Sequence, residues 1–218
     1  MPVITISRQF GAAGVPVGRA LAEKLGAEFL DRAIVAQVAL RSGIPETELE
    51  TYDERLPSLW QRVAAALTTS SPEVAMPASS YADELTHLTT HDRLMAITRS
   101  VIEEAADRGN VVILGRGAAF ILGRQEGTLH VQLHASLDAR IRYLMSRSEE
   151  IPTERSLDER SLRDLCRSVD GARADYIRRT FSADWLDPRH YDLSIDTGRL
   201  GVIGTVEVIE AAVEASAA

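Results

Sequence analysis

The sequence predicts an α/β fold with a doubly wound parallel sheet of about five strands. Short apolar runs such as Val3–Ile6 and Asn110–Gly115 lack polar alternation, as expected for parallel strands that are covered on both faces. Stretches with helical spacing of apolar residues separate these runs, and they are long enough for parallel crossovers. A chain of 218 residues can bury one sizeable core, so we expect a single domain over residues 1–218 with an inserted part.

The first 26 residues predict a strand, a glycine-containing loop and a helix. The strand breaks at Ser7, and Gly26 stands where a helix C-cap is expected. The helix is indicated by apolar residues at helical spacing, namely Val17, Leu21, Ala22 and Leu25. This arrangement is typical of a phosphate-binding loop, in which glycines let the backbone approach an anion and the helix start attracts it. The candidate phosphate-binding residues are Ser7, Gly11, Ala12, Ala13, Gly14 and Val15.

The loop departs from the usual P-loop pattern G-x-x-x-x-G-K-[ST]. Counted from the strand, Arg8 stands at the first glycine and Gly14 at the lysine, and neither Val15 nor Pro16 carries a hydroxyl. The only lysine of the chain, Lys24, lies beyond the loop on the helix. If a phosphate binds here, Arg8 is the first candidate for the charge, since its planar fork can hold two phosphate oxygens. The alternative is a tight turn without a ligand.

After a short candidate strand over residues 27–31, the pattern predicts only helices up to residue 108. They cover residues 33–42, a short piece from Pro45, residues 56–67 and residues 89–108, with a polar, proline-containing loop over 68–80. Residues 33–108 are therefore expected to form a helical insertion.

The sheet is expected to resume after this insertion. The predicted elements are a strand at 110–115, a helix at 118–122, a strand at 128–133, a helix from the Ser136 cap to 148, an arginine-rich helix at 157–181, a strand at 191–196 and a helix at 202–215. The helix after Ser136 is expected to bury Leu137, Ile141, Leu144 and Met145. Ligands of such sheets lie at the carboxyl ends of the strands, which places Arg8, Asp31 and Arg116 on one rim.

Composition limits the partners and the compartment. The formal net charge of −8 argues against duplex DNA or an anionic membrane as a general partner. The single cysteine, Cys166, allows no internal disulfide, and no apolar run approaches the roughly 20 residues of a membrane span. We expect a cytoplasmic protein. The five histidines have no convincing metal-ligand spacing; His87 and His91 could share a helix face but lack a third ligand in view.

Five short motifs in order resemble the cytidylate kinase-like family, a branch of the P-loop nucleoside monophosphate kinases. They are Ile4–Gly14 with Ser-Arg-Gln-Phe-Gly, Phe29-Leu-Asp-Arg32, Val111–Gly117 with Gly-Arg-Gly, Asp170–Tyr176 with Asp-Gly-Ala-Arg, and Tyr191–Thr197. The resemblance covers nearly the whole chain. It implies a P-loop kinase fold with a lid over residues 153–183 and an acceptor-binding insertion that is also the candidate for a dimer face.

The resemblance also implies roles for individual residues. Asp31 would contact the acceptor nucleotide, although an aspartate there could equally be the N-cap of the next helix. Arg116 would bind the acceptor phosphate, the alternative being a surface ion pair. In the lid, Arg167 and Arg173 would meet the donor phosphates, with Asp170 as an orienting carboxylate. Tyr176 and Trp185 could equally be lid packing or base-stacking surfaces.

The implied activity is phosphoryl transfer from ATP to a nucleotide such as CMP or dCMP. Mg²⁺ is expected with ATP by resemblance, but its protein ligands are unknown because Pro16 removes the hydroxyl that usually binds the ion. Ser7, or Asp31 through water, are the candidates. Two other interpretations stay open. The chain could be a catalytically inactive nucleotide-binding or regulatory protein on the same fold, or a small-molecule kinase with a non-nucleotide acceptor.

Overall fold

The computed structural model describes residues 1–31, 90–147 and 158–216. Its strands are β1 (Val3–Arg8), β2 (Glu28–Leu30), β3 (Val111–Leu114), β4 (Thr128–His134) and β5 (Leu193–Asp196). Its helices are α1 (Gly14–Leu25), α2 (Thr90–Arg108), α3 (Ala118–Leu122), α4 (Leu137–Met145), α5 (Glu159–Phe181) and α6 (Thr197–Ser216), with a 3₁₀ turn at Pro188–His190. The predicted helices before residue 90 lie outside the described residues, as does most of the predicted insertion.

All five strands are parallel, in the order β2-β3-β1-β4-β5. The predicted α/β sheet is therefore confirmed. The central strand β1 lies between β3 and β4; the chain builds β2 and β3 on one side of β1 and then crosses over to build β4 and β5 on the other side. This is the position at which ligands bind in open parallel sheets, beyond the carboxyl ends of the strands.

Both faces of the sheet are covered, which explains why the strands lack polar alternation. Alternate residues of β1 and β3 pack against α1 and α6 in one core cluster, which contains Ile4, Ile6, Val17, Leu21, Val112, Leu114, Val206 and Ile209. The remaining residues of these strands pack against α2 and α3 in a second cluster, which contains Val3, Ile97, Val101, Ile102, Val111, Ile113 and Ile121. Together the two layers fix β1 and the loop that follows it.

Helices α4 and α5 form a third cluster beside the sheet, around the ring of Phe10. Ser136 caps α4 as predicted, since its hydroxyl accepts a hydrogen bond from the Ala139 N–H. The predicted buried face of α4 is partly wrong: Met145 is 47% exposed, whereas Arg140 is buried. The apolar spacing could not indicate this, because Arg140 is buried by a charged partner on α5.

Helix α6 begins five residues earlier than predicted and contains non-helical backbone at Gly201. The apolar repeat from Val202 indicated only the part beyond that break. Helix α1 likewise begins at Gly14, three residues before the first apolar position of its repeat. In both cases the additional first turn lies at the carboxyl edge of the sheet, where α1 follows β1 and α6 follows β5.

Candidate functional site

Three neighbouring strands bring the predicted rim residues to one edge. Arg8 ends β1, Asp31 follows β2, and Arg116 follows β3 after Gly115. Because β2, β3 and β1 are adjacent and parallel, these residues share the carboxyl edge of the sheet. Asp31 is buried there, and Arg8 and Arg116 are half-buried. The geometry therefore assembles two guanidinium groups and a carboxylate where the fold places ligands.

The start of α1 has no side-chain cap. Its N-cap residue, Ala13, has a left-handed backbone with φ of 53°, and its side chain carries no hydrogen-bond acceptor. The first N–H groups of a helix lack intrahelical partners, and here they belong to Gly14 and Val15, since Pro16 has no N–H. An uncapped helix start at the edge of the sheet is suited to an anion.

The peptide groups before α1 are more constrained. The Ala12 N–H donates to the Gln9 carbonyl over 3.3 Å, and the Ala12 carbonyl accepts from Thr197 Oγ1 over 3.2 Å. The Ala12 amide, predicted to bind phosphate, is thus engaged within the turn. Gly11 has φ of 78°, the left-handed region that favours glycine.

The side chain of Arg8 runs across two glycines. A Cβ atom added at Gly14 would lie 2.7 Å from Arg8 Cγ, and one added at Gly115 would collide with Arg8 Nη1. The stem of Arg8 therefore occupies the space in which a side chain at position 14 would begin. The side chain of Arg8 thus passes the start of α1 with its stem and ends with its guanidinium at the end of β3.

Two residues of α5 bind the backbone of the glycine loop. Asp170 Oδ1 accepts a hydrogen bond from the Phe10 N–H over 2.8 Å, and Arg173 Nη1 donates to the Arg8 carbonyl over 2.9 Å. Burial of Arg173 lowers its pKa to about 10, an effect that Asp170 opposes. Asp170 and Arg173, predicted as lid residues, thus contact the loop directly.

Ser7 lies on the other side of β1, against two aromatic residues. Its hydroxyl oxygen accepts a hydrogen bond from Trp185 Nε1 over 2.7 Å and lies 3.3 Å from the Tyr191 hydroxyl. The Tyr191 hydroxyl donates to the Trp185 carbonyl over 2.9 Å. Trp185 is only 3% exposed, so its ring is packing and offers no surface for base stacking.

Stability is expected to fall in alkali through Tyr191. Burial raises the pKa of this phenol to about 12, with the Ser7 hydroxyl acting in the opposite direction. The folded state therefore favours the neutral phenol, so the contribution is complete below pH 10 and is lost as pH rises from 10 to 12. Chemical denaturation of Tyr191→Phe should show a shallower loss of unfolding free energy across this range than the unsubstituted chain. Parallel curves would contradict the assignment.

The turn after β3 is unusual in its backbone. Gly115, Arg116 and Gly117 have φ values of 80°, 56° and 71°, so a non-glycine residue stands in a left-handed conformation between two glycines. A Cβ atom at Gly117 would lie 2.7 Å from the Phe181 ring of α5. The close approach of α5 thus explains Gly117, and the resulting turn fixes the backbone of Arg116.

Arg167 and Tyr176, the other two residues discussed for the lid, make contacts within α5 and with α2. The side chain of Arg167 is 69% exposed and lies 3.6 Å from Asp164 on the same helix. The Tyr176 hydroxyl donates to Met95 Sδ over 3.3 Å, and its ring packs edge-on against Phe181. Tyr176 therefore joins α5 to α2.

Among the described residues, the same edge has few side chains that could bind a metal ion. In the ranges 1–31, 90–147 and 158–216, no group of three or more His, Cys, Asp or Glu side chains could hold one. The Ser7 hydroxyl is used by Trp185, and α1 supplies no hydroxyl in its first turn. The described residues therefore supply no cluster of three such ligands for Mg²⁺ at this edge. Among them, no helix combines the length and the apolar character that a membrane crossing needs.

Two residues of this site, Arg140 and Gly115, were not among the predicted site residues. Arg140 of α4 reaches Asp170 and the Phe10 carbonyl, but these partners lie 30 and 130 residues away in the sequence. Gly115 makes room for the Arg8 guanidinium. The Gly-Arg-Gly motif was a sequence signal for Gly115. Nothing in the sequence distinguishes Arg140 from the other arginines of a chain that has 23.

The five-stranded parallel sheet, with an uncapped helix start after its central strand, defines a P-loop kinase-like fold. An uncharacterized protein from Eubacterium ventriosum has this fold with a TM-score of 0.64 and 19% identity, over 98% of this chain and 99% of that one. Shikimate kinase from Bacteroides thetaiotaomicron aligns with a TM-score of 0.52 and 17% identity, over 98% of both chains.

Residues 3–199 match the model of the cytidylate kinase-like family, and the chain belongs to that family. A further match, 28% identical over 112 residues, is to uronate isomerase from Corynebacterium glutamicum. It covers 51% of this chain, and this chain spans about a fifth of the length of that curated relative, 20%.

Proposed function

We propose that this protein is a nucleoside monophosphate kinase-like phosphotransferase that moves a phosphoryl group from ATP to a nucleotide such as CMP or dCMP. Membership of the cytidylate kinase-like family over residues 3–199 supports this class of reaction. The partial match to uronate isomerase covers too little of that protein to support an isomerase.

The observation that carries the proposal is the path of Arg8. Its stem lies beside the uncapped start of α1 and its guanidinium lies against Gly115 at the end of β3, so a cation is carried at the same carboxyl edge as the first helix amides. A lysine side chain at position 14 would collide with the stem of Arg8, so the positive charge is expected from Arg8 instead. We infer that Arg8, with the N–H groups of Gly11, Ala13, Gly14 and Val15, holds the phosphates of ATP.

Phosphoryl transfer needs positioning and charge neutralisation more than a protein nucleophile. A phosphate oxygen of the acceptor forms a bond to the terminal phosphorus of ATP, the bridging P–O bond breaks, and ADP leaves. In the proposal Arg116 holds the acceptor phosphate, Asp31 lies beside the acceptor, and Arg8 neutralises the donor. Arg167 remains the proposed lid contact to the donor. Mg²⁺ is expected to arrive on ATP, and no step is assigned to a protein-held ion.

One observation favours a second candidate, a nucleotide-binding protein without catalysis. The first turn of α1 has no hydroxyl, and the nearby Ser7 hydroxyl is bound by Trp185. Such a protein would bind ATP through the same loop but would not transfer its phosphoryl group. The two candidates therefore differ in turnover rather than in binding.

The test is a coupled assay with ATP and Mg²⁺ against a panel of nucleoside monophosphates and small hydroxyl compounds. We expect ADP formation that depends on CMP or dCMP and falls at least about 100-fold in Arg116→Ala, since a bidentate phosphate contact is lost. Arg124→Ala is the matched control, because Arg124 is an exposed arginine that lies 3.7 Å from Asp192.

Three outcomes would contradict the proposal. Binding of ATP without turnover would support the second candidate. Turnover with a non-nucleotide acceptor alone would indicate a small-molecule kinase. Equal activity in Arg116→Ala and Arg124→Ala would remove Arg116 from the acceptor site.

A further inference from the structure

The peptide groups on both sides of Phe10 are held by one ion pair. Asp170 Oδ1 accepts from the Phe10 N–H over 2.8 Å, while Arg140 Nη1 donates to the Phe10 carbonyl over 3.1 Å. The same Arg140 nitrogen lies 2.6 Å from Asp170 Oδ2. One pair of side chains therefore satisfies both the donor and the acceptor of a single residue in the glycine loop.

This ion pair is removed from water. The side chain of Arg140 is 9% exposed and that of Asp170 is 17% exposed. Burying two charges is costly unless their geometry is good and their remaining hydrogen-bonding capacity is used. Here the backbone of Phe10 uses part of that capacity, whereas Arg140 Nε is buried without a hydrogen-bond partner among the described residues. The Phe10 ring lies in the apolar cluster between α4 and α5.

The Arg140–Asp170 pair holds Phe10 immediately before the residue at which the glycine loop turns, Gly11. Gly11 follows Phe10 with φ of 78°, and a Cβ atom added there would lie 3.1 Å from Arg140 Cβ and 3.2 Å from the Arg140 carbonyl oxygen. Helix α4 thus packs directly on the turning residue. On the amino side, Arg173 Nη1 binds the Arg8 carbonyl and lies 3.6 Å from Asp170 Oδ1.

The direction of the Phe10 N–H matters for an anion site. This N–H points at Asp170, so it cannot be given to a phosphate while the pair is intact. The negative charge of Asp170 is in turn matched by Arg140 and by the nearby Arg173. The pair therefore selects which amides of the loop remain available, namely those from Gly11 onward apart from the engaged Ala12.

We propose that Arg140 and Asp170 are positioning residues that clamp the Phe10 peptide and thereby hold residues 11–15 in the conformation that receives the donor phosphates. The clamp acts through the backbone and does not touch the nucleotide. Its benefit to ATP affinity rests on the proposed function, whereas its effect on the loop does not. In this proposal Asp170 holds the glycine loop instead of orienting a ligand, and Arg140 has a role that its sequence context does not suggest.

Four variants test the clamp. Arg140→Met removes the donor and keeps an apolar stem. Asp170→Asn keeps an oxygen for the Phe10 N–H but leaves Arg140 without its counter-charge. The double variant removes both charges of the pair, so Arg140 is no longer a buried unpaired charge, while Arg173 loses the nearby Asp170 in both Asp170 variants. Arg142→Met is the matched control, since Arg142 is exposed on the same helix.

The first measurement is amide hydrogen exchange of peptides that cover residues 8–16, without nucleotide. We expect exchange of the hydrogen-bonded Phe10 and Ala12 amides to be at least about tenfold faster in Arg140→Met and in the double variant, with no change in Arg142→Met. Unchanged exchange in both clamp variants would overturn the proposal, whether or not the protein binds ATP.

The second measurement is titration with ATP and, separately, with CMP. We expect ATP affinity to fall about 10- to 100-fold in the double variant, with CMP affinity within twofold, since misplacement of a binding loop costs affinity at that loop alone. The double variant should regain stability relative to Asp170→Asn without regaining ATP affinity. Recovery of both together would indicate a purely structural pair and would overturn the positioning role. Faster exchange in a protein that binds no ATP would keep the clamp and refute the proposed function.

Discussion

Gly14→Ala is expected to weaken ATP binding by about 10- to 150-fold while leaving the protein folded. The new Cβ would lie 2.7 Å from Arg8 Cγ and 3.2 Å from Arg8 Cβ, so the whole stem of Arg8 must move. A charge-assisted hydrogen bond contributes about 1.5–3 kcal/mol, which corresponds to that loss in affinity. Alanine is the better helix former, so unfolding free energy should not fall in parallel. Calorimetric titration and denaturant unfolding measure the two quantities.

A double-mutant cycle separates displacement of Arg8 from a direct block of the phosphate. If Gly14→Ala acts through Arg8, adding Arg8→Met should cause little further loss, because both changes remove one interaction. Additive losses would instead mean that the new methyl group obstructs the ligand. Gly171→Ala is the control, since a Cβ at that position of α5 meets no atom within 4 Å. Unchanged ATP affinity in Gly14→Ala would exclude Arg8 as the group that replaces the lysine.

The periodic part of the fold could be predicted from the sequence. Strand β3, helix α2 and helix α3 match the predicted elements to within one residue at each end, because buried strands and amphipathic helices carry their own apolar spacing. The first turns of α1 and α6 could not be found in this way. Gly14 and Thr197 carry no apolar signal, and their places are set by the carboxyl edge of the sheet.

Some residues of the candidate site could be predicted from the sequence, and others could not. Arg8, Asp31 and Arg116 follow predicted strands, so topology alone brings them to one edge. The clamp of Arg140 on Asp170 depends on how α4 and α5 pack, and no local pattern encodes that contact. For Trp185 the sequence left packing and base stacking as equal alternatives, and only its 3% exposure in the folded chain places the ring in the interior.

Trp185→Ala is expected to lower the free energy of unfolding by about 3–5 kcal/mol, the usual cost of removing a buried aromatic ring. The ring lies beneath the carboxyl end of β1, and its Nε1–H donates to Ser7 Oγ. The backbone carbonyl of Trp185 also accepts a hydrogen bond from the Tyr191 hydroxyl, and the Tyr191 ring packs edge-on against Phe120 with 6.3 Å between the ring centroids. Denaturant unfolding followed by far-ultraviolet circular dichroism measures the change, with a constant m-value as the condition for two-state comparison. A loss below about 1 kcal/mol would contradict the buried position.

Ser7→Ala extends this prediction to function. The change leaves the Trp185 Nε1–H without its acceptor inside the protein, which should cost about 1–3 kcal/mol of unfolding free energy. If the hydroxyl serves only as this anchor, ATP affinity in the presence of Mg²⁺ should stay within twofold of the unsubstituted chain. A large loss of ATP affinity with little loss of stability would mean that Ser7 leaves Trp185 and becomes a ligand in the loaded protein. Stability and affinity therefore respond in opposite ways to the two roles, and this one variant decides whether β1 ends in an anchor or in a metal ligand.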